Sequence, residues 1–319
     1  MLGQYSISGL FRHVSYSICS IAVSVLLFSC QSGQDDISAS DGQGTVTFSV
    51  SNYRQISFDD LTTSYAATRA GVPTDHPSTL AHLLIAVFNA ETGQQACSPI
   101  QHDQADFTTN SEAYPKFTLT LPYGKYRVLI LGYNGSRKCT ITSVSHISWE
   151  GDYVPNTFLY CENFTLDKNT SLDQKIVLKH VVSGFSVSTE DVMPAELKKM
   201  RFSCTSGGTV LNAVTGFTPQ VTGRTSEINV PADSLGKPGW FTVYLFLPEN
   251  EVSTSYTVQA CGKNDNVLYE KQFKNVPLRI NTLTLWEGRF FEESADEDQN
   301  LGISLYWDTQ WADTLTISQ

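Results

Sequence analysis

The chain has 319 residues, with 21 Lys and Arg against 32 Asp and Glu, for a formal net charge of −11. Such an acidic chain is repelled by phosphate backbones and anionic surfaces, and no basic patch with interleaved aromatics occurs along it, so nucleic-acid binding is excluded. Hydrophobic residues make up 41% of the chain, enough for packed cores, and the length exceeds one comfortable core, which predicts two domains.

The N-terminus reads as a targeting segment. Arg12 and His13 form a short basic region, and an apolar-leaning run of fifteen residues follows from Val14 to Phe28. A membrane-spanning helix needs roughly 20 apolar residues, so this run is short for a permanent span and fits a secretory signal better. It ends at Leu27, Phe28, Ser29 and Cys30. These four resemble a bacterial lipobox, which implies cleavage before Cys30 and acylation of its thiol. Acyl chains bury methylenes at about 0.8 kcal/mol each, so several chains hold a folded domain at a membrane. Residues 1–29 are then a lipoprotein signal peptide. Residues 30–43, rich in Gln, Ser, Gly and Asp, form a flexible tether.

The first folded element is the segment "TVTFSVS", Thr45 to Ser51, which alternates polar and apolar residues without a break. Val46, Phe48 and Val50 face a core, as the period of a strand requires. Residues 54–79 show no such period, and so long a loop in a compact domain is itself a functional signal. Strands resume at 80–89. Residues 115–134 read as a hairpin around Pro122 and Gly124, with Tyr126, Val128 and Ile130 on one face of the second arm and Arg127, Leu129 and Leu131 on the other. Segments 139–148 and 156–166 continue the rhythm. Polar residues 167–174 suggest a boundary between a first domain, 44–170, and a second, 171–319.

A second run of strands begins at 175–188. The segment "MPAELKKM", 193–200, is the most helix-like piece of the chain, with Pro194 near its start. Further strands are expected at 200–205, 226–230, 240–247, 254–261, 267–276, 278–287 and 301–307, with "GKNDN" at 262–266 as a turn. Short strands at this spacing, with almost no helix, define an all-β chain of two β-sandwich domains in tandem.

No catalytic constellation emerges. The six histidines are scattered, and the chain lacks HExxH, a GxSxG elbow, a phosphate-binding glycine loop and a dinucleotide fingerprint. No cofactor, metal site or catalytic residue is expected. Cys97, Cys139, Cys161, Cys204 and Cys261 form no CxxC pair, and no histidine lies near them at zinc-ligand spacing, so most read as small core residues. The acidic cluster 292–298 lacks the alternation and glycine of a calcium loop and reads as a solvated connection. Trp149, Tyr153, Trp286, Trp307 and Trp311 could stack on sugar rings, but sandwich cores use the same residues, and core is the favoured reading.

Taken in order, several segments resemble the fimbrillin-type lipoproteins of Bacteroides and its relatives, subunits of pili built from donated strands. They are the lipobox at Cys30, "GTVTFSVS", "ATRAG" before "LAHLLIAVFNAETG", "LTLPYGKYRVLILGYN", "KIVLKHVVSGFSVS" leading to "MPAEL", "FKNVPLRINTLTLWEGRFF" and "ISLYWDTQW". The resemblance implies two transthyretin-like sandwiches and export as an outer-membrane lipoprotein to the cell surface or fimbrium. It implies partners of three kinds: other pilus subunits, the outer membrane through the lipid, and a host or bacterial surface receptor. It also implies a mechanism, in which a protease cuts after an arginine in the loop behind the first strand. That strand leaves, and the groove accepts a strand from the next subunit. Carried onto this chain, the cut falls between Arg69 and Ala70. The displaced strand carries Val46, Phe48 and Val50, and the donor strand carries Ile303, Leu305 and Trp307. Two other functions share parts of the pattern. A surface glycan-binding lipoprotein would need exposed tryptophans on one sandwich face, and a lipid-anchored hydrolase would need a polar catalytic cleft.

Overall fold

The computed structural model describes residues 42–53, 80–104, 116–168, 171–292 and 303–307, with the backbone alone for 51–53 and 303–307. The signal peptide, most of the tether, the acidic cluster beyond Glu292, and Trp311 lie outside these residues. The first half contains β1 (Gln43–Tyr53), β2 (His82–Asn89), β3 (Ile100–Asp103), β4 (Lys116–Pro122), β5 (Gly124–Tyr133), β6 (Cys139–Ser143), β7 (His146–Trp149), β8 (Thr157–Leu166) and β9 (Leu172–His180). The second contains β10 (Ser183–Val192), β11 (Lys199–Cys204), β12 (Arg224–Asn229), β13 (Pro238–Leu245), β14 (Glu251–Cys261), β15 (Val267–Arg279), β16 (Thr282–Gly288) and β17 (Ile303–Trp307). The chain is all-β, and the described helical pieces are three short 3₁₀ turns.

The first seven-stranded sheet runs β3-β2-β5-β8-β9-β1-β4 and folds over on itself at β9. β9 meets β8 through only two residue pairs, Phe158 with His180 and Leu159 with Lys179. Before that, from Leu172 to Leu178, it runs alongside β1 in the other layer. Val46, Phe48, Phe117 and Leu119 from one layer meet Leu83, Ile85, Tyr126 and Val128 from the other in a single core. In the second half, the sheet β13-β10-β16-β17 faces the sheet β12-β11-β14-β15. Phe185, Val243 and Trp286 from the one pack on Phe202, Tyr256 and Phe273 from the other.

The two halves follow one plan. In each, the first strand lies between an antiparallel neighbour and a parallel last strand: β4-β1-β9 in the first, β13-β10-β16 in the second. The opposite layer is β3-β2-β5-β8 in the first and β12-β11-β14-β15 in the second, with the strands in matching chain order. A parallel pair requires the chain to cross over between layers, and both halves cross at the same points. The additions to this plan are the β6–β7 hairpin, the segment between β11 and β12, and β17.

Two sequence expectations change. Residues 115–134 are not a hairpin: β4 pairs with β1, and β5 pairs with β2 and β8. Their apolar faces meet across the core, so the chain changes layer at Tyr123. Residues 193–200 are not a helix. Leu197 donates its N–H to the Pro194 carbonyl at 3.1 Å in a single turn, and β11 then begins at Lys199. Met193, Leu197 and Met200 are buried there by a turn that feeds a strand. β9, which lies within the 171–319 segment, pairs with β1 and β8 of the first half.

A third core joins the halves. The sheet β2-β5-β8 turns Leu84, Leu129, Leu131 and Leu159 away from the first core, and these pack with Ile147, Trp149, Leu211 and Phe246. The predicted two-face split of β5 is therefore correct, with both faces buried.

Replacing Phe185, fully buried and stacked on Tyr256 at 4.4 Å, by Ala is expected to cost about 3–5 kcal/mol in urea unfolding. Val192→Ala, at a position 55% exposed, should stay within about 0.5 kcal/mol of the parent.

Candidate strand-exchange site

β1 is an interior strand. It pairs antiparallel with β4 from Gln43 to Ser49 and parallel with β9 from Val46 to Tyr53. Its alternation places Val46 (0% exposed), Phe48 (0%) and Val50 (5%) in the first core. The Phe48 ring meets Phe164 edge-on at 5.5 Å. Thr47 faces outward and shares a hydroxyl hydrogen bond with Thr118 at 3.2 Å. Gly44 permits the entry of the strand, since a Cβ there would lie 3.0 Å from Leu166 and 3.2 Å from Tyr123.

Removing β1 would leave a specific vacancy. β4 has no other sheet partner among the described residues, and β9 would keep only its two pairs with β8. Two rows of backbone N–H and C=O groups would lose their partners, and three apolar positions would open, each worth about 1.5–3 kcal/mol of burial. Any replacement strand must supply backbone on both sides and apolar side chains at alternate positions.

The C-terminal candidate strand sits elsewhere in the fold. β17 lies at the edge of the second sandwich, antiparallel to β16. In the register of the two strands Ile303, Leu305 and Trp307 stand opposite Trp286, Thr284 and Thr282. The sequence alone does not foresee this pairing with β16. Cys30, Arg69 and Ala70 lie outside the described residues.

The scattered polar groups serve the scaffold. His82 sits 2.7 Å from an Asp103 oxygen through Nδ1 and 2.8 Å from the Gly135 carbonyl through Nε2. The ring thus ties the edge strand β3 to β2, with both nitrogens engaged. Hydrogen bonds from His82 and then Gln101 hold the Asp103 carboxyl below its usual range. The five cysteines from Cys97 to Cys261 are free thiols. Burial pushes Cys139 up to about 12 and Cys161 up to about 11, which makes them poor nucleophiles. Among the described residues no cluster of three metal-ligating side chains occurs. Of the candidate sugar platforms, Trp149 and Trp286 are 3% and 2% exposed core residues, and Tyr153 is half-buried. Among the described residues no helix is long and apolar enough to cross a membrane.

Fold and site together define a tandem β-sandwich protein whose distinctive element is an interior first strand that fills an apolar slot. The chain belongs to the Family of unknown function (DUF6562), whose model matches residues 39–318. No match is found among curated proteins. Among solved structures, a candidate adhesin from Bacteroides ovatus is similar at 11% identity over 76% of this chain and 86% of that one, with a TM-score of 0.44. The fimbrial anchor protein Mfa2 from Porphyromonas gingivalis is similar at 11% identity over 83% and 97%, with a TM-score of 0.39. The tip fimbrial protein Mfa3 of the same organism is similar at 9% identity over 79% and 97%, with a TM-score of 0.37.

Phe48→Ala is expected to destabilise the protein by about 3–5 kcal/mol in denaturant titration. Thr47→Ala, on the outward face of the same strand, should change stability by less than about 0.5 kcal/mol.

Proposed function

We propose that this protein is a non-enzymatic structural or adhesive subunit of a surface pilus. It is exported as a lipoprotein acylated at Cys30, and it joins its neighbours by strand replacement in the first sandwich. The observation that carries the reading is β1 itself, whose three apolar side chains fill the core while the strand bridges β4 and β9. Arg69 and Ala70 follow this strand, before β2 begins at His82. A cut there would separate the strand covalently from the sandwich it completes. The lipid would leave with it, so that Cys30 serves delivery rather than residence.

The vacated slot would accept a strand with apolar alternation, and Ile303, Leu305 and Trp307 supply it. Insertion between copies is head-to-tail and therefore grows an open filament. In this reading the first domain runs from β1 to His180 and the second from Ser183 onward. The outer membrane is the first attachment, and neighbouring subunits or a surface receptor are the partners. The glycan-binding alternative loses Trp149 and Trp286 to the cores.

The test is sequencing of filaments sheared from the cell surface. The chain is expected in that material with Ala70 at its N-terminus. An N-terminus upstream of Arg69 would overturn strand removal, and absence of the chain from the filaments would overturn the pilus assignment.

A further inference from the structure

Each half has one layer whose last strand runs parallel to its first, β9 beside β1 and β16 beside β10. The two strands differ in what lies on their other side. β16 carries β17 there, antiparallel, with Thr282 opposite Trp307 and Trp286 opposite Ile303. β9 meets β8 on that side only at Lys179 and His180. Among the described residues no strand pairs with it there between Leu172 and Lys175. The shared plan thus holds a place that β17 fills in the second half and no described strand fills in the first.

Burial differs in the same sense. The first five residues of β16, Thr282 to Trp286, are all buried. In β9, Asp173 and Lys175 are exposed, and Leu172 and Gln174 are half-buried. Further along the same outward face stands Val177, a large apolar side chain left 39% exposed. β1 occupies the other side of β9, so a strand added at this edge would leave β1 in place.

We propose that the outer edge of β9 is a docking edge for β17 of a second copy, which pairs antiparallel to β9 as β17 pairs to β16 in its own sandwich. The inference rests on the reading that copies join through this strand, and it goes beyond it. The edge belongs to a chain whose β1 is still in place, so this contact needs no cut at Arg69. It gives the uncut subunit a way to capture its neighbour.

Charge selects this occupant. An edge strand offers backbone N–H and C=O groups to any extended chain, and lysines along it discourage strands that bring no compensating charge. Lys175 and Lys179 stand on the exposed face of β9. β17 is preceded in the chain by Glu293, Asp296, Glu297 and Asp298. In the antiparallel arrangement the residues ahead of Ile303 run towards the His180 end of β9, which carries the acidic stretch towards Lys179 and away from Asp173. In its own chain the same stretch follows Glu287 and Glu292, which share its sign, and Arg289 is already bridged to Glu292 at 3.1 Å. Opposite charges across such an interface steer the encounter and fix its register.

The experiment uses the whole exported chain with Arg69→Ala, which keeps β1 attached, and a fluorescein-labelled peptide of residues 293–308 as the incoming strand. Anisotropy reads binding, and amide hydrogen exchange reads its place. The peptide is expected to bind, to raise protection in β9 between Leu172 and Lys175, and to leave β1 and β16 unchanged. Lys175→Glu and Lys179→Glu should each weaken binding by about two- to fivefold, an effect that added salt diminishes. The proposal is overturned if the peptide does not bind, if the charge reversals leave its affinity unchanged, or if β16 gains the protection instead of β9. It is also overturned if β4 stays protected while β1 exchanges faster, because the peptide would then have replaced β1 rather than docked beside β9. That last outcome keeps strand replacement and removes the docking edge. Protection of β9, together with filaments whose N-terminus lies upstream of Arg69, keeps the docking edge and removes strand replacement.

Discussion

Strand β2, most of β5 and the start of β8 are buried on both faces, and the rest of the architecture is arranged to allow it. One face packs against the layer of β1, β4 and β9, and the other packs against the β6–β7 hairpin and the second half of the chain. A sheet covered on one side only would expose Leu84, Leu129, Leu131 and Leu159 to water. Burying a large aliphatic side chain contributes about 1.5–3 kcal/mol, so these positions favour a chain whose halves stay together. The near-continuous apolar run of β2 reflects this double burial, in contrast with the strict alternation of β4, which has one core face and one exposed face.

The repeated plan makes the departures from it informative. Seven strands in each half correspond in order, neighbours and direction. Two of the three additions, the β6–β7 hairpin and the segment around Leu211, meet each other across the seam. Trp149 and Phe246 stack there at 5.6 Å and fill the space between the layers. Two sandwiches of one topology are thus joined by the parts in which they differ. The third addition, β17, extends a sheet edge that has no counterpart in the first half.

The first strand combines two properties that usually exclude one another. It is interior, paired on both sides and wholly packed, which makes it a major contributor to the first core. It is also the first strand among the described residues, so in the proposed exchange a single cut behind it would free it. An interior strand can be exchanged only for another that restores both ladders and refills the slot, which gives replacement its specificity. An edge strand such as β17 has one ladder to give up and is the easier of the two to release.

The alternation of Val46, Phe48 and Val50 and the two faces of β5 were legible in the sequence, because a strand's period of two is local and shows in a few consecutive residues. The turn at 262–266 was legible for a similar reason, since Asn264 and Asp265 adopt the left-handed backbone that such residues tolerate. By itself, then, the sequence determined an all-β chain, the positions of most strands and the side of each that faces a core. Only the tertiary structure decided that β4 and β5 belong to different layers, that β9 lies beside β1, that Trp149 fills a seam between halves, and that His180 meets Asn281 across 101 residues of chain. The physical reason is that strand pairing and side-chain bridging join residues distant in sequence. Which partner wins depends on the summed burial and hydrogen bonding of the whole layer, and no short stretch of residues encodes that sum.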